Sequence, residues 1–444
     1  VPTLLNDMPL ERASGVFLHP LHQNAYRDLA QLILALRQCR KYEDYYHFQQ
    51  DLLGRVLAAQ EHRAACNRVV RRLRSCKGVP ADAPDLRSGA PDSLEDWELE
   101  VDVCERVDRQ LRSIGDALAW RVFNYDRQVI VALSRNASVT PMVGEQGLAA
   151  ERQFLTRTWE EERSFVLMHD LTTCLRIGDA TEFKSVGKKY EAYLHEIKTD
   201  PNRRRSSQLQ RKRLAEEAIR DHGPLPGDPD ARLVALNIVY KTHLDVLRSA
   251  FETAATKGVV ARKVPGGRVL LAANHFKGYE LWSEEEYLER TAEVHYDECQ
   301  RARLLEADNL IHVRSDDTVG RSPTVPPWAM YPLDPVTCAS LIADLAFFSV
   351  TISSKALVDA LCNVGLIAEW LQPIGIAELP ADEDLIRIHN RVRVSGLRLP
   401  EVRRVALELV ELSIWAKGVK ELFDKANEGQ RAWHYFAREG KVWA

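Results

Sequence analysis

Cysteine pairs at metal-binding spacing are missing from this 444-residue chain. Its eight cysteines, Cys39, Cys66, Cys76, Cys104, Cys174, Cys299, Cys338 and Cys362, form no CxxC, and several fall on apolar helical faces. That pattern argues against a zinc site or a disulfide frame, and for buried thiols in a reduced, cytoplasmic protein. Long hydrophobic runs are missing too. The most apolar stretch, Leu345 to Ile352, falls far short of the roughly 18 residues that cross a bilayer. No basic segment followed by an apolar one opens the chain, so no secretory signal is visible. The chain starts on Val1 rather than Met, and its first residues are expected to have been trimmed. There is no P-loop. Gly187-Lys188-Lys189 lacks the upstream Gly and the Ser/Thr, which argues against an ATPase or helicase motor. Internal repeats and low-complexity tracts are absent. Charge is nearly balanced at a net −4, so any nucleic-acid contact must be local.

What is present is a well-mixed globular composition, 45% hydrophobic and 28% charged. The length calls for two or three domains. Residues 1–22 read as irregular, with His19 and His22 flanking Pro20 in a loop. Apolar residues recur at helical steps from Asn24 to Cys76, with a candidate break at Gly54. A Gly/Pro linker follows over 77–92. Ser93, with Asp96 three residues on, then caps a helix from Leu94 to Asn124. The two long helices are expected to fold back on each other as an antiparallel arm. Tyr125–Ser134 can be strand or helix. A second breaker zone at 136–146 marks the start of the next domain.

The most informative stretch runs from Leu175 to Leu214. Gly147 opens a helix that reaches Glu161. Ser164–Asp170 and Thr172–Ile177 read as a hairpin, and Asp179 sits in a Gly-Asp corner at the end of its second arm. Tyr190–Lys198 alternates like a third strand. Strand side chains repeat every two residues, so Glu196 and Lys198 face one way, whereas a helix would put them about 200° apart. His195 faces away from Glu196. Six basic residues and no acidic one then lie between positions 203 and 213: Arg203, Arg204, Arg205, Arg211, Lys212 and Arg213. Such a run is usually a solvated face, but its position after the strand suits tracking a phosphate backbone.

Helix, strand, strand with Asp179, strand with Glu196-x-Lys198, then helix: this order resembles the PD-(D/E)XK phosphodiesterase superfamily, the restriction-endonuclease-like nucleases. The resemblance covers roughly residues 145–275. It implies an α/β fold with a restriction-endonuclease-like core, a mixed sheet flanked by helices. Asp179 and Glu196 would then hold Mg²⁺ or Mn²⁺, with the backbone carbonyl of Ile197 as a third oxygen. Glu151, in the first core helix, matches by order the place of a further acidic ligand. Lys198 would stabilise developing charge or orient the attacking water. Gln208 or Gln210 would position the lysine, water or phosphate. The implied activity is metal-dependent phosphodiester hydrolysis, with DNA the favoured substrate. A restriction or anti-phage defence role follows only by analogy.

The expected domains are a helical amino-terminal arm over 1–140, the nuclease-like domain over 141–275, and a mostly helical region over 276–444. Within these, Asp230–Lys257 reads as one helix. Val259–Ala273 reads as a hairpin around Pro265-Gly266-Gly267 that adds strands to the core sheet. Ser283–Ala307, Val336–Leu361 and Pro400–Gly429 read as helices, with Pro400 in a first turn. The arm suits self-association or a protein partner, and no membrane partner is expected. A reading of another class is a non-enzymatic helical scaffold that carries a degenerate nuclease-like domain.

Overall fold

A computed structural model describes residues 16–87, 93–134, 142, 147–186, 189–197, 206–221, 224–226, 228–236, 238–306, 309–316, 325–372, 383–390, 394–425 and 431–436. The chain is a mixed α/β protein. It divides into two compact units. The first takes in 1–124, 129–219 and 326–329, and the second takes in 125–128, 220–325 and 330–444. The division therefore falls near residue 220, and the amino-terminal helices belong to the same unit as the Asp179 segment.

The first unit begins with α1 (Pro20–Gln38), α2 (Tyr42–Arg74) and α3 (Leu94–Val122). The break between α1 and α2 lies at residues 39–41 rather than at Gly54, which sits inside α2. The Asp44 carboxylate takes the amides of Arg40 and Lys41, at 2.8 and 3.0 Å, and so starts a new helix there. A glycine inside a helix costs only about 1 kcal/mol, which a 33-residue helix absorbs. Ser93 and Asp96 form the expected capping box on α3. The pairs Tyr45–Arg121, Gln60–Asp108, Arg63–Glu105 and Arg74–Glu98 run in opposite sequence order, so α2 and α3 are antiparallel. His19 lies outside α1 as expected of a loop residue, but His22 lies within the helix. Both are buried, and His19 caps α1.

After α4 (Arg127–Leu133) come α5 (Gly147–Glu162), β1 (Phe165–Met168), β2 (Ala180–Val186), β3 (Lys189–His195) and α6 (Ser206–Asp221). The three strands form an antiparallel meander, with Phe165 opposite Phe183 and Ala180 opposite His195. Gln49 of α2 covers the outer edge of β1. Its amide donates to the Val166 carbonyl at 2.8 Å and accepts from the Met168 amide at 3.0 Å. A side chain thus closes an edge that would otherwise be open to another strand.

The expected strand over 172–177 does not form. These residues are a loop held by side chains. Asp116 of α3 accepts from the amides of Thr173 and Cys174, at 2.6 and 2.9 Å, and from the Thr173 hydroxyl. Thr172 Oγ1 accepts from the Leu175 amide at 3.0 Å. Arg112 of α3 donates to the Asp170 carbonyl. Amides engaged in this way are lost to a ladder, so the hairpin is β2–β3. Asp179 precedes its first strand rather than ending an arm.

In the second unit, after β4 (Pro224–Leu225), β5 (Asp228–Leu236) replaces the first part of the expected helix, which begins only with α7 (Leu244–Lys257). β6 (Val259–Val264) and β7 (Arg268–Asn274) form the expected hairpin, with Gly266 and Gly267 at φ +83° and +64°. It does not extend the β1–β3 sheet. After α8 (His275–Leu281), α9 (Glu284–Arg301), β8 (Leu310–Arg314), α10 (Pro335–Ile342) and β9 (Ala346–Ser353), the hairpin joins an antiparallel sheet in the order β6-β7-β9-β8. Alternate residues of β6 and β7 pack on Tyr287 and Cys299 of α9. Phe251 of α7 meets Phe348 of β9 edge-on at 6.3 Å. β9 lies inside this sheet, between β7 and β8, and is buried almost throughout, which accounts for the mostly apolar run Leu345 to Ile352.

The carboxy-terminal part then carries α11 (Ser354–Cys362), β10 (Ile367–Trp370), β11 (Asp384–His389), β12 (Val394–Arg398), α12 (Leu399–Leu407), α13 (Leu412–Lys425) and β13 (Arg431–Phe436). It is less helical than its sequence suggests. β13 pairs in parallel with β5, from Arg431 with Ala231 to Phe436 with Leu236. Glu408 is fully buried beside Arg127, which donates to both carboxylate oxygens at 3.0 and 2.9 Å; the Tyr240 hydroxyl also donates to it. Among the described residues, no helix is long and apolar enough to cross a membrane.

Candidate active site

The β2–β3 pair sets the site. At its open end the ladder shifts by one residue. The Asp179 amide donates to the His195 carbonyl at 2.8 Å, and the Ile197 amide donates to Asp179 Oδ2 at 2.6 Å. Asp179 therefore lies against the 195–197 segment, on the chain adjoining Glu196. Neither residue is inside a strand, since β2 starts at Ala180 and β3 ends at His195. Gly178 makes the corner with φ +76°, in the left-handed region that glycine enters without strain. A Cβ there would also come 3.1 Å from the His195 carbonyl oxygen.

His195 points to the face covered by α5. Its Nε2 is 3.0 Å from Glu182 Oε2, and its ring lies 4.9 Å from that of Phe154. Glu182 is almost wholly buried, and Lys184 Nζ lies 3.2 Å from its other oxygen and 2.7 Å from Glu162. These two carboxylates raise the Lys184 pKa, Glu162 more than Glu182. No sequence pattern announces this charged chain, because its members become neighbours only through strand register and the docking of α5.

Glu151 is buried in the first turns of α5. Among the described residues, no group of three or more His, Cys, Asp or Glu side chains is placed to hold a metal ion. The three acidic candidates Glu151, Asp179 and Glu196 are thus not brought together as one ligand set. Asp179, Glu196 and the Ile197 carbonyl each offer oxygen, the donor that suits Mg²⁺ or Mn²⁺.

Lys198 and Arg203, Arg204 and Arg205 lie outside the described residues. Gln208 is in α6, but its side chain is likewise outside what the structure describes. Gln210 is exposed on the same helix. The remaining basic residues are less free than their run implies. Arg213 pairs with Glu217 at 2.7 Å and Lys212 with Glu216 at 3.7 Å, both one turn on. Arg211 is exposed and makes no ion pair with a described residue.

His169 has no motif to announce it. It follows β1 directly and is buried, and burial pushes its pKa down to about 4. Its ring and backbone contact Gly178, Asp179 and Thr181. Comparisons with family models, curated proteins and solved structures found no match to this chain.

Proposed function

We propose that this protein is a metal-dependent nuclease with a restriction-endonuclease-like core formed by α5, β1–β3 and α6. One observation carries the reading: the 2.6 Å hydrogen bond from the Ile197 amide to the Asp179 carboxylate, which brings the Gly-Asp corner to the Glu-x-Lys segment. Those two segments are 18 residues apart in the chain, and a nuclease of this class needs them side by side. Asp179, Glu196 and the Ile197 carbonyl would hold Mg²⁺ or Mn²⁺. The ion would supply an activated water and neutralise charge on the phosphate. By the resemblance, Lys198 would act on the same phosphate, with Gln208 or Gln210 as a further polar contact. Arg211, unpaired with any described acidic group, and the arginines before it would track the nucleic-acid backbone, DNA being favoured.

A plasmid-nicking assay with Mg²⁺ or Mn²⁺, with and without EDTA, tests the reading. Cleavage by the wild type, abolished by EDTA, by Asp179→Ala and by Lys198→Ala in folded protein, is the expected result. Undiminished cleavage by both variants would sink the assignment. The lack of a three-residue ligand group among the described residues favours a second reading, a non-enzymatic helical scaffold with a degenerate nuclease-like domain. Under that reading the wild type neither cleaves nor binds Mn²⁺.

A further inference from the structure

We infer that His169 is a positioning residue for Asp179, fixing the Gly178–Asp179 corner through its Nδ1–H and its backbone N–H. The inference rests on the metal-site reading above and adds a residue to it. His169 Nδ1 is 3.0 Å from the Gly178 carbonyl oxygen, and Nε2 is 2.7 Å from Thr181 Oγ1. A carbonyl only accepts, so the proton must sit on Nδ1, and Nε2 must accept from the threonine hydroxyl. One tautomer satisfies both contacts. The His169 backbone amide donates to the Asp179 carbonyl at 3.0 Å. Asp179 is thus gripped before, at and after its own position.

His169 is itself held from behind. Its carbonyl accepts from the Thr172 amide at 2.9 Å and from the Thr172 hydroxyl at 2.8 Å. The loop that follows is fastened to α3 by Asp116. Outer partners of this sort set the orientation of a ligand, and their loss weakens metal affinity by about 10–100-fold.

Two substitutions separate positioning from packing. In His169→Asn the amide nitrogen can take the place of Nδ1 and still donate to Gly178. In His169→Gln the amide reaches the place of Nε2, so Thr181 keeps its partner and Gly178 loses its own. Asparagine leaves the larger void, so packing alone predicts that it is the worse variant. We would titrate Mn²⁺ into the full chain by calorimetry, alongside Asp179→Ala, with thermal unfolding as a check on folding. The expected result is affinity about 10–100-fold weaker in His169→Gln and near wild type in His169→Asn. Equal affinities in the two variants, or a weaker His169→Asn, would overturn the inference while leaving the metal site standing. A wild type that takes up no Mn²⁺, or an Asp179→Ala variant that binds as well, overturns the metal-site reading and this inference with it. If His169→Gln does not fold, Thr181→Val carries the test. Without the hydroxyl the ring can turn, and unchanged Mn²⁺ affinity would then overturn the positioning role.

Discussion

Replacing Glu100 by Gln should remove one of the larger single electrostatic contributions in the helical bundle. Glu100 is fully buried in α3, and its carboxylate lies 2.8 Å from His19 Nε2 and 2.7 Å from His62 Nε2. His19 Nδ1 accepts from the Leu21 amide, so its Nε2 must carry a proton and donate. Burial by itself would raise the Glu100 pKa. The hydrogen bonds from His19 and His62 outweigh it and hold the carboxyl at about 2 instead of 4.5. That lowering corresponds to about 3 kcal/mol of stability at neutral pH. The folded value lies below the unfolded one. The contribution is therefore complete above the unfolded value and is lost as pH falls through the folded value. A glutamine can accept from one imidazole but presents N–H groups to the other. Urea unfolding of wild type and Glu100→Gln should differ by about 3 kcal/mol at pH 7, with the gap closing below about pH 4.5. A difference below about 1 kcal/mol at pH 7, or one that stays constant down to about pH 3, would refute the assignment of the buried charge.

In the second unit, Glu408→Ala leaves the Arg127 guanidinium buried without its carboxylate; the expected loss is about 3–5 kcal/mol in guanidinium unfolding, and less in an Arg127→Met background. Gly115→Ala should cost about 3 kcal/mol by the same measurement, because a Cβ there would come 2.0 Å from the Leu171 carbonyl oxygen, a backbone atom. For nucleic-acid binding under the proposed function, Arg211→Ala should reduce the salt slope of log affinity by about 0.7–0.9. Arg213→Ala should reduce it less, since Glu217 already engages that guanidinium; equal slopes in all three proteins would mean that α6 faces solvent.

Features whose partners lie within a few residues can be read from the chain directly. The capping boxes of Ser93 with Asp96 and Ser283 with Glu286 close over three residues. The glycine pair at the β6–β7 turn and Pro400 in the first turn of α12 are as local. The Gly178 corner and the basic residues of α6 were legible for the same reason, whereas the alternation read over 190–198 outruns β3, which ends at His195. Contacts between distant segments set the rest. Residues 172–177 have strand-like composition, yet Asp116, more than fifty residues earlier, takes their amides and makes them a loop. The segment before α7 has helical periodicity, but β13, some two hundred residues on, offers it a parallel ladder. His169 beside Asp179 and Glu182 between His195 and Lys184 belong to this second class. A hydrogen bond between distant segments leaves no periodic trace in either one, because each obeys its own local pattern until the other segment arrives.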